Sequence, residues 1–155
     1  MAATVWINTQ QRVVEWVDRL GARVGRGPQL APHLSVGLRG EREALFELRR
    51  LGYIVVARRW KSSKLRGDLD LIAWEGDWLC FVEVKTRSGR DAAIPAEAAV
   101  DREKQTMLRR MARAYLRGFP EGKRGEIAVR FDILAVYLDG PKREFELFRG
   151  AFGWG

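Results

Sequence analysis

From Leu38 onward the apolar positions recur at helical spacing. Ala44, Leu45, Leu48 and Leu51 fall on one face with Glu41, and Gly52 supplies a C-terminal stop. The period then drops to two. Tyr53–Trp60 is rich in β-branched and aromatic residues, Lys61–Arg66 is a polar basic loop, and Asp68–Trp74 and Trp78–Thr86 flank Glu75-Gly76-Asp77, a hairpin signal. After a loop at Arg87–Pro95, the stretch Ala96–Arg117 returns to the helical period. Lys104, Leu108, Met111 and Tyr115 share one face, while Arg102, Arg109, Arg110, Arg113 and Arg117 occupy the other, as a solvated surface or a binding face. A Gly- and Lys-containing loop follows, then a strand at Ile127–Leu138, a turn at Asp139-Gly140-Pro141 and a strand at Glu144–Phe148. Ahead of all this, Thr9–Leu20 carries Val13, Val14, Trp16, Val17 and Leu20 at helical spacing, and Gly21–His33 reads as a linker. This order predicts an α/β fold, with a mixed central sheet of about five strands flanked by helices. A single domain is drawn at residues 38–155, with residues 1–37 as an N-terminal helical extension.

Composition narrows the chemistry. The apolar share of 46% and the charged share of 31% are ordinary for a globular chain, and the longest apolar runs are too short to cross a bilayer. Met1–Leu20 contains Glu15 and Asp18 and lacks a basic start followed by an apolar stretch, so it does not read as a signal peptide. A cytoplasmic protein without membrane contact is expected. Cys80 is the single cysteine and His33 the single histidine, which leaves no disulfide or zinc site and little basis for Cys–His or Ser–His–Asp catalysis. Any chemistry falls to carboxylates and lysines. The net charge of +8 favours a polyanionic partner, although charge alone is equally compatible with a solvated basic surface.

The hairpin gives that chemistry a place. If Gly76-Asp77 is a two-residue turn with glycine first, as a type II′ turn prefers, Glu75 pairs with Trp78, Trp74 with Leu79 and Ile72 with Phe81. The same register sets Asp70 opposite Glu83 and Asp68 opposite Lys85, so four charged side chains emerge on one face at one end of the hairpin. The reverse face, Leu69, Leu71, Ala73, Cys80, Val82 and Val84, is wholly apolar and is expected to be buried. Two carboxylates about 5 Å apart at their Cβ atoms repel. A divalent cation such as Mg²⁺ or Mn²⁺ removes the conflict, since hard oxygen ligands suit it and it also binds phosphate oxygens. An ion-pair ladder, with Asp68 on Lys85 and Glu83 on an arginine, explains the spacing equally well.

Wider context favours the metal. Gly40-Glu41 opening a helix, Gly52-Tyr53 closing it, Gly67-Asp68-Leu69-Asp70-Leu71-Ile72, Phe81-Val82-Glu83-Val84-Lys85-Thr86-Arg87, Lys104 in the next helix and Arg130-Phe131-Asp132 in a late strand together resemble the YraN-like family of uncharacterised bacterial proteins. That family is regarded as part of the PD-(D/E)XK, or restriction-endonuclease-like, superfamily and is similar to archaeal Holliday-junction resolvases. The likeness covers about Leu38–Leu138; the family usually has Glu where Asp68 stands, and Met1–Gly37 has no counterpart in it. The resemblance implies Asp70 and Glu83 as metal ligands, Lys85 as the catalytic lysine and Glu41 as an acid from the first helix.

Together these readings yield a Mg²⁺- or Mn²⁺-dependent endonuclease acting on DNA, including branched or damaged DNA. Glu41, Asp70, Glu83 and Lys85 form the catalytic set, Asp70, Glu83 and the Val84 backbone carbonyl hold the metal, and Asp68 and Lys104 support them. Arg58, Arg59, Lys61, Lys64, Arg66 and Arg87 are the candidate nucleic-acid contacts. Trp60 stacks on an unpaired base or fills the core, and Asp132 is expected to secure an arginine or a loop rather than a metal. Likeness to junction-cleaving enzymes, which work as dimers, raises a homodimer. The competing reading is a non-catalytic module that binds DNA or RNA and carries a vestigial acidic site.

Overall fold

The computed structural model describes residues 32–87 and 100–155, with the side chains of Pro32 and His33 left aside. The expected helix at Thr9–Leu20 and most of the loop at Arg87–Pro95 lie outside the described residues. Among the described residues, no helix is long and apolar enough to cross a membrane.

Helix α1 (Pro32–Arg50) leads into strands β1 (Ile54–Trp60), β2 (Leu69–Glu75) and β3 (Trp78–Arg87). Helix α2 (Arg102–Leu116), a short α3 (Glu121–Arg124), β4 (Ala128–Tyr137) and β5 (Glu144–Phe152) complete the chain. The five strands form one sheet in sequence order, antiparallel throughout except for the parallel pair β3 and β4. A parallel pair needs a crossover, and α2 lies on that path. This mixed sheet with helices on both faces agrees with the restriction-endonuclease-like class expected from the sequence.

Each face has its own core. Ala44, Leu45 and Leu48 of α1 pack on Leu71, Ala73, Cys80, Val82, Leu134 and Val136. Leu108, Met111 and Ala112 of α2 pack on Ile72, Leu79, Phe81, Phe131, Ile133 and Ala135. Strand β4 is buried on both sides, which is why it reads as a nearly continuous apolar run. Trp60 belongs to the α2 side, edge-on to Tyr115 at 5.4 Å.

Several boundaries differ from the sequence expectation for identifiable reasons. Helix α1 starts at Pro32, six residues before Leu38, because proline is tolerated in a first turn where its missing N–H costs nothing. Helix α2 starts after Asp101, whose carboxylate caps the Lys104 N–H at 2.8 Å. The segment Glu121–Arg124, read as loop, makes one helical turn behind Pro120. Strand β5 runs on to Phe152, four residues further, with its register shifting between the partners of Phe131 and Ile133. Two arginines of the basic helix side are structural: Arg109 donates from Nε to the Gly153 carbonyl at 2.7 Å, and Arg113 lies over the Trp154 ring at 5.1 Å.

Candidate active site

The hairpin closes in the expected register. Glu75 faces Trp78, Trp74 faces Leu79, Ile72 faces Phe81, and Gly76 takes a left-handed φ of 57° while Asp77 does not, the pattern of a type II′ turn. The last paired residues are Leu71 and Val82. Beyond them Asp70 turns its carboxylate into the gap, and its Oδ2 accepts the Val84 backbone N–H at 2.8 Å. The opening between strands also redirects Leu69. That residue was expected beside Leu71 on the α1 face, yet it is buried in the α2-side core with Ile72. Asp68 likewise does not pair with Lys85.

Lys85 instead meets Glu83. The Glu83 Oε1 atom forms ion pairs with Lys85 Nζ at 3.2 Å and Lys104 Nζ at 3.1 Å, so a lysine on its own strand and another on α2 share one oxygen. Lys104 therefore reaches the acidic end of the hairpin rather than passing over the core. Glu83 is only 4% exposed, and its second oxygen, Oε2, is buried with no hydrogen-bond partner. A buried acceptor left unpaired costs about 1–3 kcal/mol or more when charged.

A cleft of about 520 Å³ opens over these acids, lined by Val36, Gly37 and Glu41 of α1 with Asp70, Glu83, Val84 and Thr86. Glu41 sits one turn before buried Leu45, so its helix carries it to the cleft wall. Gly40 is what permits the approach: a β-carbon there would overlap Thr86 Oγ1. Glycine inside a helix costs about 1 kcal/mol relative to alanine, so this close contact supplies the packing reason for it. Across the cleft mouth, Arg59 Nε stands 3.7 Å from Glu41 Oε2. Arg59 lies between the residues paired with Leu71 and Leu69, directly across from Asp70, and takes a φ of 46°. It is the one non-glycine with positive φ among the described residues, a conformation costing about 1–2 kcal/mol.

The charges are tuned by burial. Asp70 is pushed up to about 7, first by desolvation and then by the neighbouring Glu83 charge, while the Val84 N–H opposes the shift. Burial also raises Glu41, with the Arg59 charge opposing and Asp68 and Glu83 adding to the rise. Asp68 is half-buried at the edge, and Lys61, Lys64 and Arg66 are exposed in the loop leading to it. Arg58 is partly buried on β1, and Arg87 ends β3 on the Lys85 side.

The sequence reading caught only Asp132 of a second polar cluster, which runs from Glu75 at the hairpin turn to Asp132, the β4 partner of Val82. Asp132, fully buried, accepts from Arg130 Nε at 2.8 Å, Arg130 Nη2 at 2.9 Å and the Gly150 N–H at 2.9 Å. Glu75 accepts from Arg149 at 2.8 Å and from Arg130, and Arg130 also reaches the Tyr53 hydroxyl at 2.9 Å. Asp132 thus secures an arginine and a strand, as expected. In the sequence Glu75 belongs to the Glu75-Gly76-Asp77 turn, and nothing local announces its arginine partners, which lie 55 and 74 residues further along the chain. Val36, Gly37 and Thr86 were missed as cleft residues, and the helical Gly40 was the clue to Thr86.

The acids at the open end suit a hard divalent ion. Among the described residues, no three His, Cys, Asp or Glu side chains converge into a ready-made cage. Mg²⁺ needs none, because it keeps several waters and is commonly held by one or two carboxylates. Asp70, Glu83 and the Val84 carbonyl would make such a set, and the Glu83 Oε2 without a hydrogen bond is the atom an ion would satisfy.

Comparison with known proteins returns one family. The family model described as Uncharacterised protein family UPF0102 matches residues 40–136. A UPF0102 protein of Koribacter versatilis (strain Ellin345) is 49% identical over 125 residues, covering 81% of this chain and 84% of its own. One from Rhodococcus opacus (strain B4) is 43% identical over 124 residues, covering 79% and 100%. One from Dictyoglomus thermophilum is 38% identical over 121 residues, covering 76% and 97%. The matched span runs from Gly40 at the cleft to Val136 in β4, so it contains Glu41, Asp70, Glu83, Lys85 and Lys104.

Proposed function

Since the chain belongs to the uncharacterised protein family UPF0102, the YraN-like family expected from its motifs, we propose its function from the site: a Mg²⁺-dependent endonuclease that hydrolyses phosphodiester bonds in DNA. The observation that carries the proposal is the buried, unpartnered Glu83 Oε2 beside Asp70 in an open cleft, with two lysines on the companion oxygen. Asp70, Glu83 and the Val84 carbonyl would hold the ion. When bound, Mg²⁺ polarises the scissile phosphate and lowers the pKa of an attached water. Lys85 acts as a cation that orients the attacking water or neutralises charge growing on the phosphate. Lys104 fixes the Glu83 carboxylate from the α2 side through Oε1, and Oε2 keeps no hydrogen-bond partner. Glu41 acts at the cleft wall through water, with Arg59 across the mouth. Basic residues of the β1–β2 segment, Arg58, Lys61, Lys64 and Arg66, track the phosphate backbone.

The direct test is cleavage of branched, nicked and single-stranded DNA with Mg²⁺ or Mn²⁺. Wild type is expected to cut at least one substrate, and Asp70→Ala and Glu83→Ala to lose cutting. Cleavage that persists in both variants would falsify the proposal. One observation favours a second reading: Lys85 and Lys104 already neutralise Glu83 within the chain, as they would in a binding module whose acidic site is vestigial. Metal titration separates the two. Tight, salt-dependent DNA binding without any divalent-ion binding selects the binding module.

A further inference from the structure

Two buried side-chain polar atoms among the described residues have no hydrogen-bond partner, Glu83 Oε2 and Arg87 Nη2. They carry opposite charges and lie on the same strand. Strand β3 runs beside β4 in unbroken register from Trp78–Ala128 to Arg87–Tyr137, so residues 83, 85 and 87 share a face. The intervening Thr86 confirms the alternation, because it meets Gly40 on the α1 side. Arg87 and Glu83 stand four residues apart on an extended strand, with Lys85 between them, and do not pair. Other cations and donors take the acids around them: Glu83 Oε1 is held by Lys85 and Lys104, and Glu146 accepts from the hydroxyl of Tyr137, the cross-strand neighbour of Arg87.

A guanidinium that keeps a buried N–H unpaired bears the same kind of cost as the orphaned carboxylate oxygen. A single ligand that relieves both must offer a cation to Glu83 and an anion to Arg87. A polynucleotide strand with an associated divalent ion has that composition, and the guanidinium fork matches a phosphate's paired oxygens. Resting on the nuclease reading for the Glu83 end, we propose that Arg87 receives a second phosphate, the one adjoining the phosphate beside Lys85. The substrate strand then runs along the C-terminal end of β3, and the site selects a polynucleotide over an isolated phosphodiester.

The test is equilibrium binding of a fluorescein-labelled branched DNA, read by anisotropy in EDTA at several salt concentrations. Without metal no bond is cut, so the result does not depend on whether Asp70 and Glu83 catalyse. Relative to wild type, Arg87→Gln is expected to lose roughly tenfold in affinity and to lower the slope of log K against log salt by about one. Arg87→Lys should keep the slope but recover only part of the affinity, because an ammonium has no fork. Lys123→Gln, on α3 at the opposite end of the sheet, should match wild type. The proposal is overturned if wild type shows no binding, if Arg87→Gln matches it in affinity and slope, or if Lys123→Gln loses as much. Should Arg87→Gln fail to fold by circular dichroism, Arg87→Lys decides, and full wild-type affinity in that variant overturns the proposal as well. A loss at Arg87 together with undiminished cleavage by Asp70→Ala would sink the metal mechanism while leaving this phosphate site standing.

Discussion

Midway along β4, level with Val82, Asp132 is 0% exposed and both its oxygens are taken, by Arg130, the Gly150 N–H and the Tyr53 hydroxyl. One rung further along, on β3, Glu83 is nearly as buried, yet one of its oxygens has no hydrogen-bond partner. The same contrast holds one step further out. Glu75, gripped by Arg149 and Arg130, is pulled down to about 2, whereas Asp70, desolvated and next to Glu83, is pushed up to about 7. A chain that can saturate Asp132 so fully has the means to saturate Glu83. The free Glu83 Oε2 is therefore the atom that the proposed ion binding would satisfy, and the Asp132 cluster is a clasp that joins β4 to β5 and β2.

Removing the clasp should have the largest effect. Asp132→Ala leaves the Arg130 guanidinium largely buried without its main partner and is expected to cost about 3–5 kcal/mol, read as a lowered urea midpoint. Divalent-ion binding by the folded fraction should be unchanged; a coupled loss would mean that the two clusters are not separate. Next comes Gly40→Ala, whose methyl overlaps Thr86 Oγ1 and should cost about 1–3 kcal/mol. Thr86→Ala in the same chain should recover most of that loss, and a double variant as unstable as the single one would show that the contact is not the cause.

Smaller effects follow from the carboxylates themselves, and their signs oppose. Asp70 binds its proton more tightly folded than unfolded, so it costs stability as pH rises from about 4, its ordinary value, through about 7. Asp70→Asn keeps an oxygen for the Val84 N–H and should stabilise the metal-free protein at pH 8 by on the order of 1–2 kcal/mol. That gain should fade toward pH 4, and a pH-independent gain would remove the titration as its cause. Glu75 is the reverse case. Its stabilisation is present above 4.5 and lost as pH falls through about 2, and with Arg149 half-exposed this is the smallest effect, about 1 kcal/mol or less. The difference in melting temperature between wild type and Glu75→Gln should accordingly shrink as the pH approaches 2.

Much of this was legible in the sequence where local rules act alone. Gly76 as the first turn residue fixed the register, and with it the pairing of Ile72 with Phe81; the expected rung of Asp70 with Glu83 does not form, although both acids line the cleft. Alternation assigned Leu71, Ala73, Cys80 and Val82 to one buried face. Period-two reasoning failed where pairing stops: past Leu71 the strands part, Leu69 turns to the other core, and Asp70 uses its side chain for a backbone bond. The left-handed Arg59 carries no local signature, since nothing in Arg58-Arg59-Trp60 calls for positive φ. The Asp132 clasp joins β2, β4 and β5 with the residue before β1, and spacing within one strand does not announce contacts among four segments.

A crystal soaked in Mn²⁺ and measured at the manganese edge puts the central contrast to the question most directly. An anomalous peak between the Asp70 and Glu83 carboxylates, with none at Asp132 or Glu75, is the expected result. No peak at Asp70 and Glu83 under saturating Mn²⁺, with both lysines still on Glu83, would contradict it.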